Sequence, residues 1–171
     1  VKIVRRGSPL SLNGLPTELS YAPVGRSLGE MPPGFVHLSR TWPLPAGSFD
    51  AAADAVTSWA MHRGSGLRVL AEPLAPGSAV LQAVPFGPLE LLAPCRVVAV
   101  VDGGFTYGTL AGHPESGEES FVVHADGART WLAIRSYSRL ASAVARLGTP
   151  VARLVQSRAV DAYAAALQSL L

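Results

Sequence analysis

Between residues 103 and 121 the chain reads Gly-Gly-Phe-Thr-Tyr-Gly-Thr-Leu-Ala-Gly-His-Pro-Glu-Ser-Gly-Glu-Glu-Ser-Phe, its densest gathering of reactive side chains. His113, Glu115, Glu118 and Glu119 crowd together there, and Tyr107 and Thr109 lie just upstream. A carboxyl beside an imidazole and a phenol suits proton transfer. Histidine and glutamate are also metal donors, but the spacing His113-x-Glu115-x-x-Glu118-Glu119 matches no standard zinc pattern, and no metal is expected. The competing reading is architectural. In it, Glu118 and Glu119 open a strand and pair with Arg96, Arg135 or Arg139, while His113 caps the turn.

Strands must position these groups. Gly108, Gly112, Pro114 and Gly117 punctuate the run as a hairpin connection. Side chains alternate along a strand, so Phe105, Tyr107 and Thr109 share one face of the first arm. Glu119, Phe121 and Val123 share a face of the second, and Phe121 and Val123 mark that face as inward. Glu119 therefore falls at an inner rim, where an unpaired carboxyl has a raised pKa suited to acid or base work. The candidate catalytic groups are Glu119, His113 and Tyr107. The candidate ligand contacts are Tyr107, Thr109, His113, Glu115, Glu119 and Phe121.

Around this hairpin lie further strand candidates at 35–42, 67–72, 78–85, 95–102, 104–110, 118–125 and 129–138. Asp102-Gly103-Gly104 and Asp126-Gly127 mark tight turns, and connections this short make the sheet antiparallel. Phe49, Ala52, Ala53, Val56, Trp59 and Ala60 trace one helical face, which predicts a single helix from an N-cap at Ser48 to a stop at Gly64. A second apolar stripe runs from Leu140 to Leu170, with a break expected at Gly148-Thr149-Pro150. Residues 1–34 read as an irregular arm, and 35–171 as one domain.

Composition narrows the functional classes. The chain has 171 residues, 49% hydrophobic and only 15% charged, with a net charge of +2. Its arginines are dispersed, so no nucleic-acid partner is expected. Cys95 is the single cysteine, which excludes an intrachain disulfide. The most apolar stretch, 89–101, is cut by Glu90, Pro94 and Arg96, short of the ~20 residues that a membrane-spanning helix needs. No signal peptide is visible, and a cytoplasmic location is expected. No dinucleotide fingerprint, phosphate loop or serine-nucleophile elbow occurs, and no cofactor is expected.

The element order is strand, helix, long antiparallel meander and long C-terminal helix. It resembles the helix-grip fold of the START/Bet v 1-like (SRPBCC) superfamily, an α+β class in which a curved antiparallel sheet wraps a C-terminal helix. The motifs Pro94-Cys95-Arg96-Val97-Val98, Gly104-Phe105, Tyr107-Gly108-Thr109-Leu110, Gly112-His113-Pro114-Glu115, Gly117-Glu118-Glu119 and Phe121 also resemble a bacterial and plant family of unknown function. Ser138-Arg139, Gln156, Tyr163 and the stretch Tyr21 to Gly25 fit the same pattern, whereas Ala111 and Leu140 stand where that family often has proline. The resemblance implies a cavity between sheet and helix for a small apolar or amphipathic organic molecule. Two alternatives stay open: an enzyme of cyclase, dehydratase or hydrolase type using that cavity, and a protein-interaction module with a filled core.

Overall fold

The computed structural model describes residues 1–140 and 149–171, with side chains in the last segment described from residue 158. Period-two alternation builds strands β1 (Lys2–Arg5), β2 (Val36–Leu44), β3 (Arg68–Ala71), β4 (Ala79–Phe86), β5 (Leu89–Val101), β6 (Gly104–Thr109), β7 (Glu115–Asp126) and β8 (Arg129–Leu140). Helices α1 (Phe49–Thr57) and α2 (Ala60–Gly64) interrupt the strands, and α3 (Thr149–Leu170) follows them. One eight-stranded antiparallel sheet runs β2-β8-β7-β6-β5-β4-β3, with β1 beside β5. Gly103 and Gly127 take positive φ at the β5–β6 and β7–β8 turns, a conformation that glycine adopts without a Cβ penalty. A register shift between Val97 and Ala99 bends β5. The α+β helix-grip architecture expected from the element order is present.

Four sequence expectations need correction. β5 begins at Leu89 rather than 95, because Pro88, Glu90 and Pro94 disguise a strand that spans both of its partners on one edge. Leu89–Leu92 pairs with β1, and Cys95–Val101 pairs with β6. The segment before residue 35 is thus not wholly irregular: it supplies β1, and Leu10, Leu12 and Leu15 pack on Leu81, Ala83 and Leu92. The helix expected over 48–64 is two helices. Trp59 breaks it with a left-handed φ of 66°, unusual for a residue with a Cβ. The break lets α1 pack on β6 and β7 while α2 packs on α3. Ser48 sits at the start of α1, but its hydroxyl bonds Pro45 O at 2.7 Å instead of capping the helix. The apolar stripe over 141–148 lies outside the described residues. Of the expected break at Gly148-Thr149-Pro150, Gly148 lies outside the described residues, and Thr149 and Pro150 fall within α3.

The main core lies between the concave face and the helices, and includes Val56, Trp59, Phe105, Phe121, Ile134 and Leu167. On the convex face, Glu118 ties the N-terminal segment to the sheet. Its carboxylate accepts hydrogen bonds from Tyr21 Oη (2.7 Å), Gly25 N (2.7 Å), Ser27 N (2.9 Å), Ser27 Oγ (2.6 Å) and Tyr137 Oη (3.2 Å). Tyr21 reaches it across Gly108, the register partner of Glu118, and a Cβ at residue 108 would collide with the tyrosine ring. Burial and the neighbouring Glu118 push the phenols of Tyr21 and Tyr137 upward, so both remain donors.

The expected arginine partners are engaged elsewhere. Arg96 bonds Gly77 O, Arg135 bonds Gly29 O, and Arg139 lies over the Phe35 ring. Glu118 is held by hydroxyls and main-chain amides. Glu118→Gln, which sets an amide against these donors, is expected to cost about 3 kcal/mol. Gly108→Ala should destabilise in the same direction by displacing Tyr21. Urea unfolding of both variants checks this, and unchanged midpoints would contradict the anchoring role.

Candidate functional site

On the concave face, strand register places Tyr107, Glu119 and Ser136 side by side on β6, β7 and β8. Tyr107 Oη donates to Glu119 Oε2 at 2.9 Å. These groups belong to a recess of about 160 Å³ between the sheet and α3. Its described lining includes Gln82, Val84, Leu91 and Ala93 from β4 and β5, with Ala159 and Tyr163 from α3. Thr109, His113, Glu115 and Ser138 complete its polar rim.

Most of the sequence-derived residues converge here, but their duties differ. Glu119 lies deep, and what surface it keeps faces the recess. Burial pushes its pKa from 4.5 up to about 8; Tyr107 opposes the shift and the charge of Glu115 adds to it. Burial also raises Glu115, with a hydrogen bond from Ser138 opposing. Thr109 Oγ1 accepts from Gly117 N at 2.9 Å and lies 2.7 Å from Ser20 Oγ, so it fastens β6 to β7 and to the N-terminal segment. His113 Nδ1 lies 2.9 Å from the Glu115 amide nitrogen, closing the turn as the architectural reading had it. Burial lowers its pKa to about 4, and the imidazole is neutral near pH 7. Phe121 lies behind the wall, its ring 5.3 Å from that of Tyr107 and fully buried.

Four residues that sequence reasoning did not assign complete the site: Gln82, Ser136, Ser138 and Tyr163. Each had a signal. Gln82 sits in phase with Val80 and Val84, and Ser136 and Ser138 continue the inward phase of Leu132 and Ile134. A polar side chain on an otherwise apolar face is the mark of a polar pocket in a core. Gln156, part of the resembled motif set, lies outside the described side chains.

His62 carries no signal in the sequence. Its ring is fully buried among Trp59 (4.9 Å), Phe121 (4.7 Å) and Tyr163 (4.9 Å), and neither nitrogen has a described partner. Burial lowers its pKa to about 3, so it is a neutral ring behind the recess wall. Cys95 is fully buried, and its thiol is pushed upward by burial and by Glu119 and Glu115, which leaves it a poor nucleophile. No group of three or more His, Cys, Asp or Glu side chains among the described residues is arranged to hold a metal. Nor is any described helix long and apolar enough to cross a membrane.

The Glu119 pKa fixes the sign of a pH effect. Between pH 4.5 and about 8 the unfolded chain gives up this proton while the folded chain keeps it, so the group's contribution to stability falls as pH rises through that window. The loss is on the order of 3 kcal/mol after allowing for solvent reaching the recess. Glu119→Gln should therefore melt close to the parent at pH 4.5 and well above it at pH 8.5. Parallel melting curves across this range would contradict the unpaired carboxyl.

Known proteins agree with this architecture. A START superfamily protein from Mycobacterium smegmatis superposes with a TM-score of 0.61 at 15% identity, covering 80% of this chain and 96% of that one. The ginseng major latex-like protein 151 from Panax ginseng gives a TM-score of 0.60 at 14% identity, over 79% and 96% of the two chains. These likenesses establish the fold. In sequence, a UPF0548 protein of Deinococcus radiodurans is 38% identical over 74 residues, spanning 40% of this chain and 37% of that relative's length. The model of one family, the domain of unknown function DUF1990, matches residues 20–166, and the chain belongs to that family.

Proposed function

We propose that this protein binds a small, largely apolar organic molecule in the recess between the sheet and α3, with the molecule's polar end at Tyr107 and Glu119. The observation that carries this reading is the polarity of the recess. A folded core is normally closed with apolar side chains, yet here one wall gathers Gln82, Tyr107, Glu119 and Ser136. Ser136 Oγ is buried without a partner among the described residues, and Gln82 Nε2 has none beyond a loose approach to the Tyr107 phenol. Leaving such groups unmatched costs about 1–3 kcal/mol each, a cost that a bound molecule offsets. Val84, Leu91, Ala93 and Ala159 supply an apolar surface for the rest of it.

A second reading is favoured by Glu119 itself. A carboxyl that titrates near 8 beside a phenol is poised for proton transfer at neutral pH, which supports an enzyme using the same recess. His113, engaged in its own turn, is the weaker candidate. The filled-core interaction module finds less support, because the recess is walled by unmatched polar groups.

Native mass spectrometry of protein isolated from its own host tests the binding reading. A small organic mass should accompany the parent and be absent from Ala93→Phe, which fills the recess from β5. The variant's circular dichroism should match the parent. Equal retention of that mass by the folded variant would place the ligand elsewhere, and a parent that never carries or takes up such a molecule would contradict binding.

A further inference from the structure

Three groups that need a hydrogen-bonding counterpart face the recess from different strands. Gln82 on β4 is 3% exposed; its Nε2 leans on the Tyr107 phenol without closing a well-formed hydrogen bond, which leaves amide N–H capacity for another acceptor. Ser136 on β8 is 2% exposed, and its hydroxyl is unmatched. Between them on β7, Glu119 has one described hydrogen-bond partner, Tyr107, which occupies Oε2. No lysine or arginine occurs in the described lining. An amide N–H, a carboxyl O–H and a hydroxyl are all able to donate, so what fits among them is an acceptor.

Building on the binding reading above, we propose that the recess selects uncharged molecules bearing a carbonyl oxygen, which accepts hydrogen bonds from the Gln82 amide and the Glu119 carboxyl group. A carboxylate ligand is disfavoured, because it would enter beside Glu115 and Glu119 with no described cation to offset its charge. An ammonium ligand is disfavoured for a different reason: it brings only donors to Gln82, and it gains an ion pair only by stripping the proton from Glu119. The size is suitable for a ring, since an engineered protein cavity of about 150 Å³ holds benzene.

This selection carries a pH signature. Toward Glu119 face Tyr107 from β6, Glu115 from β7, Cys95 from β5 and Tyr163 from α3, with His113 at the rim. The phenols and the thiol are pushed above their ordinary values, and His113 is already neutral. Glu119 is therefore the recess group placed to lose its proton between neutral and mildly alkaline pH, and that loss works against a carbonyl oxygen. With Glu119 titrating at about 8, its protonated fraction falls roughly thirty-fold between pH 6.5 and 9.5.

The test uses four probes of similar shape: acetophenone, benzylamine, benzoate and ethylbenzene, titrated into the whole protein by NMR at pH 6.5 and 9.5. Acetophenone should bind at least ten-fold more tightly than the other three at pH 6.5, and weaken roughly thirty-fold at pH 9.5. Ethylbenzene should be indifferent to pH. Glu119→Gln retains a donor of the same shape, so it should bind acetophenone at both pH values alike. Gln82→Leu should weaken acetophenone about ten-fold and leave ethylbenzene unchanged. If benzylamine or benzoate binds best, if all four bind equally, or if acetophenone ignores pH, the carbonyl inference falls while the recess stands as a binding site. If none of the four binds, the recess reading falls and this inference with it.

Discussion

The pleat of β7 separates two adjacent glutamates, and most of the functional architecture depends on that separation. Successive side chains on a strand point to opposite faces. Glu118 therefore turns to the convex side and Glu119 to the concave side. The same residue type meets two solvation problems within one peptide bond. Outside, the N-terminal segment folds over Glu118 and supplies four hydrogen bonds from hydroxyls and amides, with a fifth from Tyr137 on β8. Inside, Glu119 receives one, from Tyr107. A one-residue slip of β7 would exchange the two carboxyls and defeat both arrangements, so register and function are fixed together.

The asymmetry has a physical rationale. The outer carboxylate helps hold a segment distant in sequence, and with Thr109 and Ser20 it binds that segment to the strands that carry the recess. The inner carboxyl weakens the fold wherever it is forced to ionise. Unmatched polar groups on a core-facing wall are a cost that a purely structural domain would shed by apolar substitution. Here the Gln82 amide on β4 and the Ser136 hydroxyl on β8 face a common space with Glu119 and sit opposite an apolar surface. That pattern is expected of a site whose hydrogen bonds are completed by an occupant. The strained Trp59 and the buried neutral His62 lie immediately behind the same wall, so the aromatic layer supporting Tyr107 also departs from ordinary core chemistry.

Much of this was legible in the sequence because the signals were local. The inward phase of Phe105, Tyr107 and Thr109 follows from alternation, as does the inward phase of Glu119, Phe121 and Val123. The Asp-Gly turns set the antiparallel order. Other features were hidden because they depend on partners far along the chain. Tyr21 and Glu118 are 97 residues apart, and no pattern within either segment announces their contact. The first half of β5 is hidden in the sequence because Pro88 and Pro94 resemble loop punctuation, and only the two partners sharing one edge of the strand reveal its full length. Trp59 carries no breaker signal, since tertiary packing rather than local preference imposes its positive φ. Gln82, Ser136 and Ser138 were readable in principle as polar residues at apolar phase.

The account turns on Glu119 being a neutral acid at physiological pH, and its carboxyl carbon reports this directly. In protein labelled with 13C at glutamate side chains, assigned by comparison with Glu119→Gln, the Glu119 carboxyl resonance should titrate with a midpoint near 8. Tyr107→Phe, which removes the hydrogen bond that favours the charged form, should move that midpoint higher still. A midpoint between about 4 and 5, the ordinary carboxyl range, would mean that Glu119 is solvated or paired with a cation, and would contradict the account at its centre.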